Sequence, residues 1–359
     1  MKPSFRSTSK WVAGSVLLAS TGLAQAQSSV TLYGVLDVAL QYASKTATAT
    51  GKNAGSTFAV ANAANGPSVF GLKGTEDLGG GLKATFTLES GISVANGGFA
   101  ASNGNLWGRQ AWVGLEGNFG KIRLGTQFSP FFLTLLDSDP RFFSSSGSGN
   151  LIYADNVIFT GVANSNAVIY RSPNFAGIEG SVMFAPGGVP GNFQAGRQWS
   201  ASLKYDNGSL LVNTSIYDGN AGGATTPVPT NVEFLGRTVG LGYRFGSLFA
   251  KASFVNYKVA GSFNNNVYGG GLDYFATPFL NLNGGVWVTS DRNATSNHSL
   301  LAAVGATYLL SKATSLYMQL TTVDNHGAMR TGLSLDTTAI VHGVAGTSYG
   351  ANVGIRHTF

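Results

Sequence analysis

Val30-Thr31-Leu32-Tyr33-Gly34-Val35-Leu36-Asp37-Val38-Ala39-Leu40-Gln41-Tyr42 alternates along its whole length. Val30, Leu32, Gly34, Leu36, Val38, Leu40 and Tyr42 share one face, and Thr31, Tyr33, Val35, Asp37, Ala39 and Gln41 share the other. A period of two belongs to a β-strand with unlike faces. The pattern recurs. Leu82, Ala84, Phe86 and Leu88 oppose Lys83, Thr85, Thr87 and Glu89; Trp199, Ala201, Leu203 and Tyr205 oppose Ser200, Ser202, Lys204 and Asp206. Val239, Leu241, Tyr243 and Phe245 oppose Thr238, Gly240, Gly242 and Arg244, and Leu280 to Val288 repeats the theme. Such segments run about 8–12 residues, the length at which tilted strands cross a bilayer.

The connections alternate as well. Short ones, such as Asp77-Leu78-Gly79-Gly80-Gly81, Asp206-Asn207-Gly208, Phe245-Gly246-Ser247 and Ala276-Thr277-Pro278, carry the Gly, Asn, Asp and Pro that tight turns need. Longer ones, near 43–67, 92–105, 129–166, 187–197, 219–232, 259–266, 291–298 and 324–347, are rich in Asn, Ser, Thr and Gly. Seven short turns and eight long loops make fifteen connections and therefore sixteen strands. A soluble β-sandwich also alternates, but it needs neither long strands throughout nor a strict short/long order of loops. A sheet in lipid must close, because an open edge would leave backbone amides without partners. Sixteen strands enclose water, whereas eight fill their own interior. The expected fold is all-β: a closed sixteen-stranded antiparallel transmembrane barrel. Aromatic residues near strand ends (Tyr42, Tyr217, Tyr243, Phe245, Tyr257, Tyr274, Tyr308 and Phe359) are expected to form interfacial girdles.

Composition agrees. Charged residues are 11% of 359, under half the usual share of about 25%. Fifty glycines are about twice the usual share of roughly 7%. With no cysteine, there is no disulfide, thiolate zinc site, iron–sulfur cluster or cysteine nucleophile.

The first 26 residues have the form of a secretory signal peptide. Lys2, Arg6 and Lys10 make a basic start, Trp11 to Leu18 an apolar run, and Ala24-Gln25-Ala26 a small-x-small cleavage site. The expected organisation is a removed signal over 1–26 and one barrel domain over 27–359. Losing Met1–Ala26 removes three of the basic residues behind the formal charge of +6 and no acidic one. The nearly neutral remainder has no basic block for nucleic acid. It also lacks an apolar run of about 18 residues, so no transmembrane helix is expected.

Enzymatic chemistry is hard to place. Of four histidines, His298, His326 and His342 fall in long loops and His357 near the end. They form no Ser–His–Asp set and no pair at metal-ligand spacing, so no catalytic residue, metal or cofactor is expected. No helix is predicted after the signal, which excludes a phosphate loop opening one.

Five motifs resemble the general trimeric porins of the Gram-negative outer membrane. They are Ser29-Val30-Thr31-Leu32-Tyr33-Gly34, Gly71-Leu72-Lys73-Gly74-Thr75-Glu76-Asp77-Leu78-Gly79, Gly108-Arg109-Gln110-Ala111-Trp112-Val113-Gly114-Leu115, Tyr170-Arg171-Ser172-Pro173-Asn174-Phe175 and Val353-Gly354-Ile355-Arg356-His357-Thr358-Phe359. The resemblance covers essentially the whole mature chain. It implies a homotrimer in the lipids of the outer membrane that passes small hydrophilic solutes and ions. It also implies that the third long loop, Ser129 to Asn166, folds into the lumen. Substrate-selective channels and surface adhesins with a closed pore are the alternatives.

In that family, basic wall residues face acids of the inward loop across a constriction, where low-dielectric walls concentrate the field. The resemblance places Arg109 and Arg171 on the wall, with Lys73 and Arg123 as further wall candidates, opposite Asp137, Asp139 and Asp155. Alternation agrees for Arg171: Val168 and Tyr170 would face lipid, and Ala167, Ile169 and Arg171 the lumen. Asp137-Ser138-Asp139 is not read as a calcium site, because calcium wants six to eight oxygens and nothing else here supplies them. Val69 and Val35 occupy positions that are often basic in the family. The basic ladder is thinned, and strong anion selectivity does not follow from the resemblance. The loop is aromatic, with Phe128, Phe131, Phe132, Phe142, Phe143, Tyr153 and Phe159, and Arg141 lies among them as a positive charge brought by the loop itself. Those rings either narrow the pore or anchor the loop to the wall. Phe359 is implied to be an assembly signal.

Overall fold

The structure is a computed structural model that describes residues 29–157, 160–224, 233–336, 339–340 and 342–359. The expected signal peptide and Phe159 lie outside these residues. The first half holds β1 (Ser29–Ala43), β2 (Thr57–Asn62), β3 (Val69–Gly79), β4 (Leu82–Gly91), β5 (Gln110–Gly117), β6 (Gly120–Phe128), β7 (Ala163–Arg171), β8 (Ile178–Ala185) and β9 (Gln198–Asp206). The second holds β10 (Leu210–Gly219), β11 (Phe234–Phe245), β12 (Leu248–Val259), β13 (Asn264–Thr277), β14 (Leu280–Asp291), β15 (His298–Leu309), β16 (Thr314–His326), β17 (Leu335–Asp336), β18 (Ala339–Ile340) and β19 (Gly346–Thr358).

Each strand from β3 to β16 pairs antiparallel with the next, and β16 pairs with β19. β1 closes the ring, meeting β19 from Val35↔Thr358 to Ala43↔Gly350 and β3 from Ser29↔Thr75 to Val35↔Val69. β2 continues the β3 stave, pairing with β1 over Val38–Ala43. β17 and β18 form a separate ribbon. The result is a closed sixteen-stranded antiparallel barrel.

Its two faces follow the alternation. In β11, Val239 and Leu241 are each 53% exposed and face lipid, while Thr238, at 2%, faces inward. Ala167 and Ile169 are buried, and Val168 and Tyr170 are exposed. The aromatic girdle needs correction. Tyr42, Tyr243, Phe245, Tyr274, Tyr308 and Phe359 are exposed, but Tyr217 and Tyr257 point inward and are fully buried against the third long loop.

Between β2 and β3 the stave breaks, and residues 63–68 turn into the lumen around Asp37. Ala63 N–H donates to the Asp37 carbonyl, Gly66 N–H to its carboxylate at 3.2 Å, and the Tyr317 hydroxyl to the carboxylate at 2.6 Å.

The seam also explains the last residue. Gly34 and Phe359 exchange two backbone hydrogen bonds, 3.0 and 3.1 Å long. A Cβ on Gly34 would collide with the Phe359 ring and sit 2.8 Å from the Val69 carbonyl oxygen. Deleting Phe359, or making Gly34→Val, should therefore lower the amount of assembled barrel in the outer membrane, while the channels that do assemble conduct normally. Immunoblots of membrane fractions measure this, and wild-type levels of both variants would refute it.

Candidate functional site: a charged passage beside the third long loop

The loop between β6 and β7 contains two helices, α1 (Pro130–Ser138) and α2 (Gly149–Val157), where no helix was expected. Local chemistry accounts for α1. The Ser129 hydroxyl caps it by accepting the Phe132 N–H at 3.0 Å, and Pro130 supplies a preset first turn. Thr134 and Ser138 turn their hydroxyls back onto the carbonyls four residues earlier, which leaves their methyl and methylene groups to pack.

The helix lies along the inner faces of β8 to β12. Phe131 is fully buried, its ring 6.2–6.4 Å from those of Tyr153, Tyr217, Phe234 and Tyr257. Gly236 makes room, since a Cβ there would collide with the Phe131 ring. Further on, the buried Asp139 carboxylate accepts the N–H groups of Arg141, Gly149 and Phe143 at 2.7, 2.9 and 3.2 Å. Burial pushes this carboxyl above its ordinary value, against the pull of the three donors and Arg141. Burial likewise lowers Arg141 to about 10, so it stays cationic at neutral pH. Arg141 donates to Asn283 Oδ1 at 2.9 Å and to the Ser146 carbonyl at 2.6 Å. Lys251 Nζ donates to the Asp139 carbonyl at 3.0 Å and lies 3.9 Å from the Phe142 ring centroid. The tip, Ser145 to Gly147, bonds to Asn65 on one side and to Leu333 and Leu335 on the other. The loop thus spans the lumen and is fixed at both ends.

Beside it remains a cavity of about 390 Å³ between α1 and the wall of β5 to β10. Lys121, Arg123, Arg171 and Lys204 line it as cations, and Asp137 and Glu179 as anions. Arg171 pairs with Glu179 at 2.5 Å, and Lys204 with Asp137 at 3.3 Å. Lys121 pairs with Glu116 at 2.8 Å. Arg123 has no ion pair among the described residues; its guanidinium lies 4.1 Å from the Trp112 ring centroid, which holds it without neutralising it.

Of the expected constriction residues, the cavity gathers Arg171, Arg123 and Asp137. The others lie elsewhere. Arg109 pairs with Glu89 at 2.8 Å, which also accepts the Tyr33 hydroxyl. Lys73 lies over the Tyr33 ring. Asp139 and Arg141 are spent on fixing the loop, so Arg141 is not a free charge in the water. Asp155 sits on α2 beside His342, at 3.4 Å, a contact that raises the imidazole above its ordinary value. Lys204, Lys121 and Glu179 were missed. Lys204 was legible on the polar face of its strand, but nothing in the sequence shows that α1 comes to rest opposite it.

The family described as Gram-negative porin matches residues 13–328. Outer membrane porin protein 32 of Delftia acidovorans is 30% identical, over 96% of this chain and 97% of its own length. An outer membrane porin protein of Bordetella pertussis is 28% identical, over 97% of this chain and 99% of its own length. Among solved structures, the anion-selective porin from Comamonas acidovorans superposes with a TM-score of 0.80 at 26% identity, covering 93% of this chain and all of that one. Barrel, inward loop and relatives agree: the chain belongs to the Gram-negative porin family and is a diffusion channel of the outer membrane.

Proposed function

We propose that small hydrophilic solutes and ions cross through the passage between α1 and the β5–β10 wall, and that it favours anions. The observation that carries this is the imbalance of its lining, with four cations against two anions and Arg123 unpaired. Low-dielectric walls confine the water, so a few fixed charges change the local concentration of counter-ions. The aromatic residues of the loop act as anchors in this reading, because Phe131, Phe143 and Tyr153 are buried away from the water. The barrel is a conduit and carries out no chemistry on what it passes. Liposome swelling tests the reading: unrelated neutral solutes of one size should enter at similar rates, and anionic solutes faster than cationic ones. Equal rates for both signs at low salt would remove the preference.

Two further parts complete the proposal, the first resting on resemblance and the second on the signal-peptide pattern. The assembled form is a homotrimer, which a detergent-solubilised mass of three chains would support and a monomer mass would refute. The mature chain begins at Gln27, after cleavage behind Ala24-Gln25-Ala26. Intact mass spectrometry of the outer-membrane protein should give that terminus, and retention of Met1–Ala26 would overturn it.

A further inference from the structure

A second polar cavity, of about 390 Å³, lies on the long-loop side, between α2, the β12–β13 and β14–β15 connections and the segment after β16. In outer-membrane barrels the long loops face the outside. Asp291 and Asn265, cross-strand partners at the ends of β14 and β13, line it and are 6% and 3% exposed. Arg330 lines it too, and so does Asp155, which is paired with His342.

Two features are unexplained by the fold. The Asp291 carboxylate accepts N–H groups from Asn264, Asn293 and Asn297 at 2.9–3.3 Å, yet has no cationic partner among the described residues. A buried charge of this kind is ordinarily paired. Asn265 leaves its Oδ1 without a partner. Its amide cannot turn to hide this atom. Asn156 donates Nδ2 to the Ile152 carbonyl, so its Oδ1 faces Asn265 and requires the Asn265 Nδ2, at 2.5 Å. An acceptor without a donor and a carboxylate without a cation, on neighbouring strands, call for a donor with positive charge.

Arg330 supplies the complement. Its NH1 is held by the Gly327 and Met329 carbonyls, and no acid pairs with it among the described residues. Arg330 and Asp291 therefore share one cavity without pairing with each other, while Asp155 is taken by His342. Phe263 and Met329 add apolar lining. We propose that this is a binding site for small zwitterions, free amino acids or short peptides. The ammonium group donates to Asp291 and Asn265 Oδ1, and the carboxylate meets Arg330. The volume suits such ligands, and charge-assisted hydrogen bonds at both ends set the orientation. A cation in the same cavity argues against a metal ion, and no metal-binding group of three or more His, Cys, Asp or Glu occurs among the described residues.

Equilibrium dialysis of the purified full-length protein tests this without reference to conduction, so its failure would leave the channel reading intact. The probes are L-alanine and L-alanyl-L-alanine, with N-acetyl-L-alanine lacking the ammonium and L-alaninamide lacking the carboxylate. Alanine and the dipeptide should bind saturably, and both blocked compounds about tenfold or more weakly. Asp291→Asn should weaken alanine by a similar factor, and Arg330→Gln should erase the preference for alanine over alaninamide. Should Asp291→Asn fail to assemble, Arg330→Gln decides alone. Absence of saturable binding at millimolar alanine, unchanged affinities in the variants, or displacement of alanine by calcium would overturn the proposal.

Discussion

Replacing Arg123 and Arg171 together by glutamate should reverse the sign of the zero-current potential across a planar bilayer under a salt gradient. The wild-type passage presents four cations and two anions, and the variant presents two cations and four anions. The change acts where the water is narrow and its walls are poorly polarisable, so neither charge is diluted by bulk solvent. Salt sets the range. At physiological strength screening extends over about 8 Å and at 1 M over about 3 Å, so the reversal is largest at low salt and shrinks as salt is added. Arg123 should dominate, since Arg171 is already half-answered by Glu179. Arg109→Glu should do less, because Arg109 pairs with Glu89 outside the cavity, and Lys258→Glu, at an exposed position, should do least. A double variant that is assembled and open, but keeps the wild-type potential at low salt, would remove these arginines from the conduction path.

The second large effect is expected from Phe131→Ala. This ring is the centre of an aromatic cluster that joins α1 to β10, β11, β12 and α2. Truncating a fully buried phenylalanine costs about 3–5 kcal/mol, part of it from the cavity left behind. The barrel is held by its own ladder of backbone bonds and should stay closed. The loss falls on the docking of α1, whose remaining ties include the residue 131 backbone N–H to Ser200, Ser138 to Asn213 and Lys204 to Asp137. Single-channel conductance should rise and become noisier, and proteases should cut near residues 129–138. Phe131→Leu keeps most of the volume and should behave close to wild type. Unchanged conductance together with a protease-resistant loop would show that α1 is held by something other than this ring.

Most of the barrel is legible in the sequence. Strand faces follow from a period of two, turns from glycine, asparagine and proline, and closure from the need of amides in lipid for partners. These are local or universal constraints, so Val239 outside and Thr238 inside could be read from the residues alone. The interior was not legible in the same way. Two nine-residue helices flanked by serine and glycine carry too little periodicity to announce themselves, and their stability comes from the wall they rest on. Tyr217 and Tyr257 look like interfacial aromatics by position along the strand, yet they share the inward face with Ser215 and Val255, and the third long loop comes to rest where Phe131 covers them. Lys204 lines the cavity beside α1, and Arg141 is tied up in holding the loop, for the same reason. Alternation says which side of the sheet a residue takes, whereas its neighbours inside a wide barrel depend on where a long loop comes to rest across the lumen. That depends on contacts such as Lys251 with Asp139 and Arg141 with Asn283, which are distant in sequence and which only the closed barrel brings together.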